Sequence, residues 1–153
     1  MTIVFLFVII NVTKEKETTM ALFRVKCSSC GNVCDIASDA VCPKCKNALT
    51  IPKDGGVQIY RMGSPVGIAV GYGTYINGQP YGHIGNKESV KIPLAYGTYT
   101  FHFTCGMTRK CQDVTVEITP ENRFAYIKAR IKMGFWTNKI IAELVKLEDM
   151  PPM

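Results

Sequence analysis

Cys27-Ser28-Ser29-Cys30-Gly31, followed by Cys42-Pro43-Lys44-Cys45, is the stretch from which the rest of this chain is read. Eleven residues separate the two C-x-x-C pairs. Four thiolates in two short pairs suit a tetrahedral Zn²⁺ closed on all sides by sulfur. Residues 23–51 around them are too few to bury a core of their own, so a structural metal supplies the missing stability. Cys27, Cys30, Cys42 and Cys45 are therefore the expected ligands of one structural zinc ion. A redox role for the pairs fits poorly, because neither lies in a β-α-β pattern.

Around the pairs, residues 21–53 read as a small metal-stabilised module. Leu22, Val25 and Cys27 lead a short strand into the first pair. Gly31 is free to take the positive φ that points backbone N–H groups at sulfur. Residues 33–36 and 40–41 are expected to form a hairpin between the pairs, turning near Ser38-Asp39, with Leu49-Thr50-Ile51 as a return strand. Cys34 is expected as a small buried apolar side chain. Pro52-Lys53-Asp54-Gly55-Gly56 has the composition of a linker.

Residues 57–149 have a different texture. Turn signals recur every eight to twelve residues between alternating runs, the pattern of an all-β sandwich or barrel. Strands are expected over residues 57–62, 66–76, 80–84, 89–94, 98–105, 113–118 and 123–133. Gly67, Gly71 and Gly73 mark a bulge or close backbone approach in the second of these. Asn77-Gly78 is a strong type I′ hairpin signal. Residues 140–147 read as a last strand, with a short helix as the competing assignment because Ala142, Glu143 and Leu144 favour helix.

Cys27-Ser28-Ser29-Cys30-Gly31 and Cys42-Pro43-Lys44-Cys45 resemble the paired knuckles of the zinc-ribbon group. Two features depart from the commonest pattern: the spacing is tight, and Lys46 rather than glycine follows the second pair. Thr74-Tyr75-Ile76-Asn77-Gly78-Gln79-Pro80-Tyr81-Gly82-His83-Ile84 and Val90-Lys91-Ile92-Pro93-Leu94-Ala95-Tyr96-Gly97-Thr98-Tyr99-Thr100 resemble PEGA-like domains, small carbohydrate-binding-like or immunoglobulin-like sandwiches. The resemblance covers most of residues 57–132 and departs at Ala95-Tyr96, where such domains carry Pro-Pro or Pro-Glu. It concerns turns, not chemistry, and implies a fold without a site. The expected fold class is mainly β: a small zinc ribbon over residues 21–53, then an antiparallel β-sandwich over residues 57–149 that folds without it.

The chain has 153 residues, 47% apolar and 20% charged, a globular composition with a net charge of +6. The positive excess is spread, with no run of five like charges. Seven cysteines is an odd number, and pairs at ribbon spacing point to metal-bound thiolates in a reducing cytoplasm rather than to a secreted disulfide framework. Residues 3–10 are continuously apolar, but a membrane span needs roughly 20 such residues. No basic region precedes the run and no small-residue cleavage site follows it. Residues 1–19 are read as a poorly ordered extension or a mis-called start, with Met20 as the alternative initiator. A weak membrane anchor is the competing reading.

No catalytic constellation emerges. His83 and His102 are the chain's histidines. A Cys/His pair of Cys105 with one of these histidines can be drawn, but ordinary strand-surface histidines are expected. Cys105 and Cys111 flank a loop and are expected as free thiols, a disulfide being the competing state. Lys128, Arg130 and Lys132 form a basic row beside Tyr126, expected as a solvated strand face. Phe135 and Trp136 are expected to cap the sandwich core, a small binding platform being the competing reading. The functional expectation is a non-enzymatic protein-interaction or scaffold protein with a protein partner. Nucleic-acid binding through the ribbon and the basic row, and a membrane-associated accessory role, are the alternatives.

Overall fold

The computed structural model describes residues 22–65, 68–106 and 111–152. The readings of residues 1–19, of Met20 as a start, of Val66 and Gly67, and of residues 107–110 lie outside them.

The chain is mainly β, as expected, with twelve strands and one 3₁₀ turn among the described residues. The strands are β1 (Phe23–Lys26), β2 (Val33–Ile36), β3 (Ala40–Val41), β4 (Ala48–Leu49), β5 (Gly55–Arg61), β6 (Tyr72–Ile76), β7 (Gln79–Ile84), β8 (Ser89–Leu94), β9 (Gly97–Thr104), β10 (Val114–Ile118), β11 (Phe124–Lys132) and β12 (Lys139–Val145). They form a six-stranded sheet in the order β12-β11-β5-β8-β1-β2, a four-stranded sheet in the order β10-β9-β6-β7, and the small pair β3-β4. No described helix is long and apolar enough to cross a membrane.

Alternation of apolar and polar side chains builds the sandwich. In β10, Val114, Val116 and Ile118 are buried while Thr115 and Glu117 are exposed. One apolar core takes Val57 and Ile59 from β5, Ile92 and Leu94 from β8, Ile127 from β11 and Ile140 from β12. The four-stranded sheet faces them with Tyr72, Ile84, Phe101, Phe103 and Val116. A second core holds Cys27, Cys42 and Leu49, with Cys30, Cys34, Ile36 and Cys45 packed on it. The two cores share no residue.

Asn77 and Gly78 both have positive φ, 49° and 76°, and join Ile76 to Gln79 in a tight hairpin, as the dipeptide predicts. Several other expectations need correction. The six-stranded sheet is mixed: β5 runs parallel to β11, from Phe124↔Gly56 to Ala129↔Arg61. The chain leaves this sheet after β5, visits the other and returns, and such crossovers permit parallel neighbours. β6 begins at Tyr72, and the described residues 68–71 before it are not strand. β12 ends at Val145 and the 3₁₀ turn Leu147–Asp149 follows, so the C-terminal region has both a strand and a turn.

Gly55 and Gly56 are not linker residues. They open β5, and a Cβ on Gly55 would lie 2.0 Å from the Arg123 carbonyl oxygen, so only glycine lets these backbones approach. Phe135 and Trp136 do not cap the core. They stand at the β11–β12 turn, 92% and 89% exposed.

Candidate metal centre

Each C-x-x-C pair is the turn of its own hairpin. β2 pairs with β1, from Phe23↔Ile36 to Lys26↔Val33, and β3 pairs with β4. The expected pairing of residues 33–36 with 40–41 does not form. Pairing β2 with β1 places the first cysteine pair at one hairpin tip, and pairing β3 with β4 places the second at another. The two tips then meet through their sulfur atoms.

The two turns share one hydrogen-bond pattern. Cys27 N–H donates to the Asn32 carbonyl at 2.8 Å and Gly31 N–H to the Cys27 carbonyl at 2.9 Å. Cys42 N–H donates to the Asn47 carbonyl at 2.8 Å and Lys46 N–H to the Cys42 carbonyl at 2.9 Å. Asp39 closes the module from outside, its Oδ1 accepting from the Ile51 N–H at 2.8 Å.

Cys27 Sγ lies 3.5 Å from Cys45 Sγ, and Cys30 Sγ lies 3.7 Å from Cys42 Sγ. All four sulfurs are within 4.8 Å of one another. A tetrahedral ion with metal–sulfur bonds of about 2.3 Å requires sulfur–sulfur edges of about 3.8 Å. The four cysteines expected from spacing are thus close enough to bind one metal ion. Cys34 lies outside this group; it packs half-buried against it, and Asn32 Nδ2 donates to its sulfur at 3.1 Å.

Backbone dipoles prepare the site for an ion. The N–H groups of Cys30 and then Ser29 pull the Cys27 thiol below its ordinary range. The Cys45 N–H is the largest influence on Cys42, which burial opposes and the Lys44 N–H assists; its thiol falls to about 6. Cys30 is pulled down by the Asn32 N–H, yet burial and the neighbouring sulfurs of Cys45, Cys42 and Cys27 outweigh it and push the thiol up to about 12. A divalent cation among these sulfurs would displace that proton and offset the repulsion between the thiolates.

Arg24 on β1 ties this module to the sandwich. Its guanidinium meets Asp35 Oδ1 at 2.9 Å and Glu88 Oε1 at 3.2 Å, and also donates to the His83 carbonyl. Lys26 N–H reaches the Tyr81 hydroxyl at 3.2 Å, and Lys26 Nζ the Pro80 carbonyl at 3.0 Å. β1 joins the six-stranded sheet beside β8 through one registered pair, Phe23↔Lys91.

The remaining candidates divide. Cys105 is buried on the inner side of the sandwich, whereas His102 alternates outward between the fully buried Phe101 and Phe103. The Cys105–His102 pair does not form. Cys105 and Cys111 are both free thiols, as expected. Lys128, Arg130 and Lys132 lie along one outward face of β11, half-buried to exposed, with Arg130 3.4 Å from Glu143. Sequence reasoning missed Asp113, whose Oδ1 lies 2.6 Å from His102 Nδ1. No sequence signal marks it: the pairing of Val114 with Phe101, seen only in the fold, brings Asp113 beside His102.

Fold and site together define a mainly β protein whose four clustered cysteines lie close enough to bind one metal ion, beside a sandwich. Comparison with protein-family models, with curated proteins and with solved structures finds no match. The PEGA-like resemblance therefore rests on the turn pattern alone.

Proposed function

We propose that this chain is a non-enzymatic interaction protein, in which a structural Zn²⁺ on Cys27, Cys30, Cys42 and Cys45 stabilises the small module and the sandwich presents a docking tip. Four thiolates close the coordination sphere and leave no position for a reacting water. The observation that carries the interaction role is the β11–β12 tip. Phe135 and Trp136 stand edge to face, ring centroids 5.1 Å apart, at 92% and 89% exposure. Two large neighbouring aromatics left in water contribute nothing to the fold and are the anchors that protein interfaces favour. Lys132 and Lys139, paired at the base of the tip, suit an acidic rim on the partner.

The test is a pull-down from native lysate with the zinc-loaded full chain and with a Phe135→Ser/Trp136→Ser variant. A defined protein captured by the first and lost by the second supports the reading. Equal capture by both removes the tip from it. Binding of the full chain to anionic vesicles, lost in the same variant, would transfer the tip to a membrane surface instead.

The basic row favours a second reading, nucleic-acid binding. Lys128, Arg130 and Lys132 share an outward face, but Glu143 already engages Arg130, which weakens that face as a phosphate track. Oligonucleotide affinity that falls steeply with salt would support this second reading.

A further inference from the structure

We propose a second, weaker metal site on the outer face of the four-stranded sheet, formed by His102, Cys111 and Asp113 and taking a divalent cation of borderline softness such as Zn²⁺.

The strand register builds it. Phe101 and Phe103 point into the core, so His102 of β9 points out. Val114 of β10 pairs with Phe101, which sets Asp113 opposite His102. Cys111 precedes β10, half-buried against the sandwich core, and its sulfur still comes within 4.8 Å of the donor atoms of His102 and Asp113. A β-bridge from Cys111 to Ile140, and a 3.4 Å hydrogen bond from Gln112 N–H to the Ile140 carbonyl, hold that segment against β12. Tyr75, the β6 partner of His102, sets its ring edge-on to the imidazole with centroids 6.0 Å apart and restricts it from the other side.

Each of the three residues brings one donor atom within 4.8 Å of the other two. Metal bonds of about 2.0–2.3 Å require donor separations of about 3.3–3.8 Å, so rotamer adjustments suffice to enclose an ion. The contact between His102 Nδ1 and Asp113 Oδ1 is 2.6 Å, and a cation would take the place of that hydrogen bond. Imidazole, thiolate and carboxylate together are a donor set that zinc accepts. The side chains of His102 and Asp113 are 33% and 55% exposed, so the ion has a path in and a fourth position open to water. With one thiolate in place of four, this site holds its ion less tightly than the cysteine centre. The two centres lie on different sheets and share no ligand.

The experiment is a Zn²⁺ titration of the full chain against a chromophoric chelator. Wild type should take two equivalents of different affinity. Cys111→Ser and His102→Gln should each lose the weaker equivalent and keep the tighter. Cys42→Ser should do the reverse, so failure at one centre is read apart from failure at the other. Saturation of wild type at one equivalent would overturn the proposal, and so would two equivalents in both His102→Gln and Cys111→Ser. If those variants do not fold, wild type decides: Zn²⁺ beyond the first equivalent should slow alkylation of Cys111, followed peptide by peptide, and an unchanged rate would overturn the site.

Discussion

Gly31 and Lys46 take the same left-handed backbone conformation in two copies of one turn, with φ of 71° and 66°. The position follows the second cysteine of each pair and lets the chain reverse over the sulfurs. Glycine adopts this conformation freely, whereas a residue with a Cβ sacrifices roughly 1–2 kcal/mol to hold it. The second turn keeps its geometry despite Lys46 because the hydrogen bonds around Cys42 over-determine it.

Lys46→Gly should therefore stabilise the module by about 0.5–1 kcal/mol, the relief of strain being partly offset by the greater freedom of glycine in the unfolded chain. Gly31→Ala should cost about 1 kcal/mol through φ alone, because its Cβ would meet only Lys26 Cε at an ordinary 3.8 Å. Chelator-competition affinity for zinc reads both, and an unchanged affinity in the pair would contradict the strain argument.

The separation of the two cores predicts two transitions. With zinc on the cysteine cluster, a chelator should unfold that module and leave the sandwich, because no cysteine of the cluster and no residue packed on it belongs to the sandwich core. Far-ultraviolet circular dichroism should lose a minor part of its strand signal, with the main thermal transition retained. Collapse of the whole signal on chelation would show that the sandwich depends on the module.

Arg24 is the principal polar tie between the parts. Its partners Asp35 and Glu88 have side chains 43% and 39% exposed, so solvent screens both pairs. Arg24→Leu should cost about 1 kcal/mol rather than the several of a buried ion pair. Hydrogen exchange in β1 and β2 should quicken while β9 and β10 are unaffected. Equal quickening throughout would mean that Arg24 supports the whole fold.

Acid should release the metal. The Cys42 thiol falls to about 6 in the folded chain, well below its ordinary 9.0. A depressed thiol stabilises the folded state fully above the ordinary value; that contribution shrinks as pH falls and is gone below about 6. Metal retention should follow the same sign, failing as pH drops through that region. At neutral pH, loading must also expel the Cys30 proton, since that thiol sits at about 12. Calorimetric enthalpies of zinc binding should therefore vary with the ionisation heat of the buffer. Buffer-independent enthalpies would contradict the assignment.

The cysteine cluster was legible because its information is local: two C-x-x-C pairs at this spacing, outside any β-α-β pattern, favour two turns that bring four sulfurs together. The sandwich was legible through alternation, as at Val114, Val116 and Ile118. One local expectation failed, the hairpin of residues 33–36 with 40–41, because each C-x-x-C pair closes a hairpin of its own; the other failures depend on distant partners. Gly55-Gly56 has linker composition, and only the approach of Arg123 reveals it as packed strand. The parallel alignment of β5 with β11 joins segments sixty or more residues apart, and nothing local encodes it. Arg61 carries no sequence signal of burial, yet it is fully buried with its guanidinium 3.9 Å over the Tyr72 ring, donating to the Val70 and Ile84 carbonyls. Phe135 and Trp136 look apolar enough for a core, but the β11–β12 turn carries them beyond it.

The most direct test of the central claim is X-ray absorption at the zinc edge on full-length protein dialysed against a mild chelator, which strips weakly held ions. One tightly held zinc per chain should remain, with four sulfur neighbours at about 2.3 Å. Absence of retained zinc, or a shell containing nitrogen or oxygen, would contradict closure by Cys27, Cys30, Cys42 and Cys45.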